Sequence, residues 1–222
     1  TNGDWSPAPY EAQYLKLYDV TPPPAPVAPA AELVLFGTVI GNQVTFTWTA
    51  ANDPEGGVSN YYLQIGTSPG ASDLFDGLVS GTSKTVTVAF GTSVHARVQQ
   101  INNAGIFGPY SASSASVMAL DPVADMDGDG QSNGSEFTAG TDPLSAASAL
   151  RTTATAIFGD DVNVTVATVS GKSYQLETSI ILTAPSWSGL GAPVTANGPS
   201  TTFTHNGGAG DFKRFYRVRV VP

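Results

Sequence analysis

Residues 121–143 read Asp121-Pro-Val-Ala-Asp125-Met-Asp127-Gly-Asp129-Gly130-Gln131-Ser-Asn133-Gly-Ser-Glu136-Phe-Thr-Ala-Gly140-Thr-Asp142-Pro143. Counted from Asp125, acids stand at positions 1, 3, 5 and 12, glycine at 6 and asparagine at 9. That spacing is the calcium-loop pattern. A hard cation takes six to eight oxygens, and carboxylates on alternate residues converge on it. Gly130 allows the sharp turn that other residues resist. Asp125, Asp127 and Asp129 are the expected first ligands, Gln131 offers its backbone carbonyl, Asn133 acts directly or through a water, and Glu136 closes the site with both oxygens. A short helix ending at Gly140 is expected to follow. The other reading is a solvated acidic linker. Five acids between residues 121 and 136 with no Lys or Arg would then repel one another with no cation to offset them.

The run Asp-x-Asp-x-Asp-Gly-x-x-Asn-x-x-Glu-x-x-x-Gly-Thr-Asp-Pro resembles thrombospondin type 3 repeats and the dockerin-type loops of secreted bacterial proteins. The resemblance implies calcium ligation by Asp125, Asp127, Asp129, Gln131, Asn133 and Glu136. It departs from a full EF-hand upstream, where Leu120-Asp121-Pro122 cannot be an entering helix. It departs from dockerins in having one loop instead of two, so their cohesin-binding role does not carry over.

Both flanks of the loop are β-patterned. The expected fold is all-β: two β-sandwich domains joined by a single EF-hand-like calcium loop with one short helix. The expected divisions are residues 1–26 (docking segment and Pro-rich linker), 27–118, 119–150 (the calcium-loop linker) and 151–222. In the first β-block, strands are expected at Glu32–Val39, Gln43–Trp48, Asn60–Ile65, Lys84–Ala89, Ser93–Ile101 and Tyr110–Val117. Val44, Phe46 and Trp48 alternate with polar partners, as do Val94, Ala96 and Val98, giving one buried face each. Asn102-Asn-Ala-Gly105 reads as a tight corner. Trp48, the run Val94-x-Ala-Arg-Val-x-x-Ile-Asn-x-Ala-Gly105 and the following Gly-Pro-Tyr-Ser resemble a fibronectin type III domain. Val94 stands where that family often has a corner tyrosine. The resemblance implies a spacer or adhesion module.

In the last block, strands are expected at Thr152–Phe158, Val162–Thr168, Ser173–Thr178, Ala192–Thr195, Thr201–Thr204 and Phe215–Val221. Gly159-Asp-Asp161 and Ser170-Gly-Lys172 read as hairpin turns. Tyr174-x-Leu-Glu-x-Ser179, Trp187 and Phe215-Tyr-Arg-Val218 resemble small C-terminal β-domains of large secreted bacterial proteins. Arg217 and Arg219 share one strand face as a basic stripe, either solvated or set against an acidic neighbour.

At the N-terminus, Tyr14–Val20 alternates as a strand would, although Tyr10, Tyr14, Leu17 and Tyr18 also fit one helical face. The segment is too short to bury itself. It is expected to add to an open sheet edge, between subunits or on its own neighbouring domain. Thr21-Pro-Pro-Pro-Ala-Pro-Val-Ala-Pro-Ala30 reads as a stiff extended linker and a domain boundary. The first residue is Thr, which reads as a processed or excised piece.

Charge and composition narrow the function. Net charge is −9, and charged residues make up only 12% of the chain, against about a quarter in ordinary domains. An acidic chain does not suit nucleic acid. No run of 18 apolar residues exists, so no membrane span is expected. With no cysteine, reinforcement by bound calcium is expected instead of disulfides. Abundant extracellular calcium suits one such loop, so an extracellular or cell-surface setting is expected. No nucleophile elbow, phosphate loop or separated acid pair occurs, so no catalysis is expected. His95 and His205 read as ordinary surface residues. Trp5, Tyr10, Tyr14, Tyr18, Tyr61, Tyr62 and Tyr110 are candidates for a sugar-stacking platform or, more simply, core residues. Two functions remain. One is a non-catalytic, calcium-stabilised structural or adhesive protein, including a subunit of a surface filament. The other is a C-terminal accessory region of a secreted polysaccharide-degrading enzyme, as spacer or glycan binder.

Overall fold

The computed structural model describes residues 19–183, 186–210 and 213–221. The expectations for residues 1–18 lie outside these. The first domain contains β1 (Ala30–Ala31), β2 (Thr38–Ile40), β3 (Gln43–Thr47), β4 (Val58–Gly66), β5 (Phe75–Val79), β6 (Ser83–Thr87), β7 (Ser93–Asn102) and β8 (Val117–Leu120). They form a three-stranded sheet of order β1-β3-β6 and a five-stranded sheet of order β2-β8-β7-β4-β5. The two-residue side-chain period explains the sandwich: Val44 and Phe46 of β3, Leu63 and Ile65 of β4, and Val94, Ala96 and Val98 of β7 all point into one core. Trp48 meets Tyr61 edge-to-face in that core, with ring centroids 5.6 Å apart. Gly105 turns the expected corner at φ 81, and its N–H donates to Asn102 O.

Three details differ from the sequence reading. Glu32–Val39 is not one strand. The chain leaves β1 in one sheet and enters β2 in the other through a turn, where Leu35 and Thr38 exchange backbone hydrogen bonds of 3.0 and 2.9 Å. Crossing between sheets needs left-handed backbone at Phe36 (φ 51) and Gly37 (φ 74), which apolar patterning does not reveal. β5 lies where no strand was expected, because Gly77 interrupts its pattern. Residues 110–116 form no strand. Two serines replace the ladder: Ser111 N–H donates to Val98 O, Ser114 N–H donates to Ala96 O, and their hydroxyls accept from the N–H groups of Val98 and Ala96.

The Pro-rich stretch is also not a free spacer. Pro23, Pro26 and Pro29 are buried while Pro22, Pro24 and Ala25 between them are exposed. Burial every third residue is the period of a polyproline II helix laid against a surface. Val27 N–H donates to Thr49 O. Asn102 Nδ2 donates to Asp19 Oδ2 at 2.6 Å and to Thr21 O at 3.2 Å. Residues 19–29 therefore form a strap along the first sandwich, pinned at the Asn102 end of β7.

The C-terminal domain contains β9 (Thr152–Phe158), β10 (Asp161–Ala167), β11 (Ser173–Ser179), β12 (Ser188–Gly189), β13 (Val194–Thr195), β14 (Ser200–His205) and β15 (Phe215–Val221). One sheet has the order β14-β10-β9. In the other, β11 is flanked by β12 and β13 on one side and pairs β15 as well. Val162, Val164, Val166, Tyr174, Leu176, Ala196 and Phe203 form the second core. Gly159 (φ 60) and Gly171 (φ 84) supply the two expected turns. β12 was not expected; it is only two residues long. No helix among the described residues is long and apolar enough to cross a membrane.

Tyr174 is 1% exposed, and its hydroxyl accepts from Val169 N–H at 2.7 Å. Tyr174→Phe strands that donor and is expected to cost about 1–2 kcal/mol. Urea unfolding should show a lower midpoint with an unchanged slope. The basic stripe is corrected too. Across β11 and β15 the register sets Glu177 opposite Arg217. Glu177 accepts from Arg217 Nε at 2.7 Å and Arg219 Nε at 3.2 Å. Burial would raise the Glu177 carboxyl, but the two guanidinium groups outweigh it and hold it below its ordinary value. Arg217 also lies over the Trp187 ring, 4.5 Å from its centroid. The stripe therefore meets an acid of its own domain.

Candidate metal centre

The turn after Asp121 builds itself from aspartates. Asp125 Oδ1 accepts from Gly128 N–H and its Oδ2 from Gly130 N–H, both at 2.8 Å. Asp127 Oδ1 accepts from Asp129 N–H, and Asp129 Oδ1 from Gln131 N–H. Gly128 (φ 77) and Gly130 (φ 93) take the left-handed backbone that this winding requires. The Gly130 N–H first, with the Gly128 N–H assisting against burial, holds the Asp125 carboxyl below its ordinary value. As a result, Asp125, Asp127 and Asp129 bring one oxygen each within 4.8 Å of one another.

The helix α1 (Asn133–Ala139) follows. Ser132 caps its start, accepting from Ser135 N–H, and Gly140 (φ 78) ends it where expected, donating to Glu136 O and Phe137 O. The helix carries Glu136 to the aspartate cluster. Glu136 is 0% exposed, and neither carboxylate oxygen has a hydrogen-bond partner. Asp127 Oδ2 is likewise buried and unpartnered. A buried carboxylate without donors costs far more than a neutral group unless a cation meets it. Burial first, then the charges of Asp127, Asp129 and Asp125, push Glu136 up to about 7.

The sign of the pH dependence follows. A carboxyl raised from 4.5 to about 7 contributes stability that is complete below 4.5 and is lost as pH rises through about 7. Metal-free protein is expected to melt lower at pH 8 than at pH 5.5 in scanning calorimetry. Saturating calcium is expected to remove or reverse that difference, because it replaces the proton at Glu136.

Asn133, the ninth position of the loop, has its amide engaged by the loop backbone. Its Oδ1 accepts from Met126 N–H at 3.1 Å and its Nδ2 donates to Asp121 O at 2.8 Å. With its side chain fully buried and its amide bonded to two separate parts of the loop, it braces the loop. Gln131 lies next to the cluster, its side-chain amide donating to Asp129 Oδ2 at 3.4 Å.

The sequence did not reveal how the loop meets both domains. Lys172 Nζ donates to Thr138 O at 2.9 Å, a cation at the carbonyl end of the helix where the dipole favours it. A Cβ at Gly140 would lie 3.2 Å from Lys172 Cε, so glycine is needed for this approach as well as for its φ. On the other side, Phe137 shares a hollow with Leu33, Val39 and Ile40 of the first domain. No signal for Lys172 was available, because its partner is a backbone carbonyl 34 residues away.

Among the described residues, the two histidines are not brought together. His95 Nδ1 lies 3.3 Å from Ser114 O and His205 Nδ1 lies 2.8 Å from the Tyr216 hydroxyl, in separate domains. Tyr61 belongs to the first core. Tyr62 meets Phe107 edge-to-face at 64°, while Arg97 covers the Tyr110 ring 4.4 Å from its centroid.

No protein-family model matches the chain, and no curated protein matches it. Among solved structures it is similar to titin module A71 from human cardiac muscle, with 20% identity over 43% of this chain and 91% of that one, TM-score 0.35. It is similar to the FN1-FN3 domains of chicken CNTN1, with 14% identity over 89% of this chain and 61% of that one, TM-score 0.34. It is also similar to an Fn3-like protein from Clostridium thermocellum, with 24% identity over 46% of this chain and 97% of that one, TM-score 0.33. The all-β assignment stands on the strand order already described.

Proposed function

We propose that this chain is a non-catalytic, calcium-stabilised structural or adhesive protein of the extracellular space, in which one Ca²⁺ locks the joint between two β-sandwiches. Glu136 carries this reading: a fully buried carboxylate with two unpartnered oxygens, close enough to three converging aspartates for their charges to raise it. Asp125, Asp127, Asp129 and Glu136 would hold the ion through side chains and Gln131 through its carbonyl. The bound ion would fix α1, which touches the first domain through Phe137 and the second through Lys172. A filament subunit joined through its N-terminal segment is the specific form of this reading.

The accessory-region reading for a polysaccharide-degrading enzyme is less well served. A sugar face needs stacked or coplanar rings, and Tyr62 and Phe107 stand edge-to-face. Small-angle scattering of the full chain with and without calcium tests the joint. The proposal expects one narrow maximum dimension with calcium and a broader, longer distribution after chelation. Identical profiles would contradict it.

A further inference from the structure

We propose that the outer edge of β15 is the acceptor for residues 14–18 of a second copy of this chain, added as a strand so that copies join head to tail; this rests on the structural reading above. β15 pairs with β11 from Phe215 to Val221, and among the described residues no strand covers its other edge. Such an edge presents unpaired backbone groups that recruit another strand. A cavity of about 580 Å³ runs beside it, lined by Leu150, Val218 and Val220 together with Arg217, Arg219 and Thr138 of α1. A second hollow of about 260 Å³ continues it to Thr152 and Tyr216.

The sandwich is open along this side. β9 is exposed at every residue. Ile157 pairs with buried Val162 and shares its inward face, yet it is 64% exposed. On β15 the charges that would blunt a free edge, Arg217 and Arg219, are held by Glu177.

The occupant follows from where the N-terminal segment leaves the domain. Asp19 is held by Asn102 at the end of β7. The calcium loop leaves from Leu120 at the other end, where Ala119 N–H donates to Thr92 O. Ten residues of β7 span roughly 30 Å at about 3.3 Å per residue. Tyr14 lies five residues before Asp19, a reach of at most about 17 Å. Residues 14–18 therefore fall short of the groove of their own chain, which lies past the opposite pole. The groove of a neighbour stacked end to end meets no such limit. In strand form Leu15 and Leu17 share a face, matching Leu150, Val218 and Val220 of the lining. Donor at one pole and acceptor at the other make a heterologous contact, which propagates into open filaments.

The chain has no cysteine, so engineered thiols report cleanly. Leu17→Cys, Thr152→Cys and Thr87→Cys are made as single variants, the last on β6 at the edge of the other domain's three-stranded sheet. Folding is confirmed by an unchanged thermal transition. Pairs are mixed with calcium under mild oxidation, and bridged peptides are counted by mass spectrometry. The proposal expects Leu17–Thr152 bridges at least about tenfold above Leu17–Thr87 bridges, and a ladder of covalent oligomers from the Leu17→Cys/Thr152→Cys double variant. Equal bridging, bridging favouring Thr87, no bridging, or closure of the double variant within one chain would each overturn it. Calcium titration of the same chains separates the two readings: retained binding without bridging removes only the acceptor assignment, and absent binding removes the calcium joint.

Discussion

Glu136→Gln is expected to weaken calcium binding on the order of 100-fold, about 2.7 kcal/mol, while making the metal-free protein more stable at pH 8. The two effects share one cause. Glutamine keeps the size and shape of a side chain that is fully buried, so packing is preserved. It removes the charge that meets no donor, relieving about 1–3 kcal/mol of desolvation and repulsion in the metal-free state. It also removes the carboxylate that would close the ion site. Thermal scans at pH 8 with and without calcium should cross over: the parent melts lower than the variant without calcium and higher with it. A residue with a purely structural role would shift both conditions in the same direction. Parallel loss in both would contradict the role given to Glu136.

Phe46→Ala is expected to destabilise the first sandwich by about 3–5 kcal/mol and leave the second nearly untouched. Phe46 is 0% exposed and lies among Val44, Trp48, Leu63 and Val98. Removing its ring loses the transfer free energy and leaves a cavity that a β-sandwich closes poorly. The second core, around Tyr174 and Leu176, shares no residue with the first. Two cores permit two unfolding transitions, so a single midpoint is not the right description. Scanning calorimetry should show the first-domain transition displaced in the variant and the other fixed. Displacement of both by equal amounts would mean that the two domains unfold as one unit.

The aspartate turn and the helix after it were legible because their constraints are local. Asp125, Asp127 and Asp129 act through neighbours two to five residues away, and Gly140 ends the helix by its own backbone conformation. The alternating strands β3, β4 and β7 were legible for the same reason. What failed depended on distant partners. The slot of Asn133 in the motif gave its position but not the two backbone groups that claim its amide. Arg217 and Arg219 read as a free stripe until the β11–β15 register placed Glu177 between them. The prolines read as a stiff spacer because stiffness is local, whereas burial of Pro23, Pro26 and Pro29 depends on the sandwich beneath. Residues 110–116 read as a strand because the serines at 111 and 114 give no warning that their hydroxyls take over ladder positions.

Calorimetric titration of calcium into the metal-free full-length chain, repeated with Asp127→Ala, tests the central claim most directly. The aspartate cluster with buried Glu136 predicts one Ca²⁺ per chain for the parent, a melting point raised by calcium, and no measurable binding by the variant. Absence of binding heat together with an unchanged melting point in the parent would contradict it.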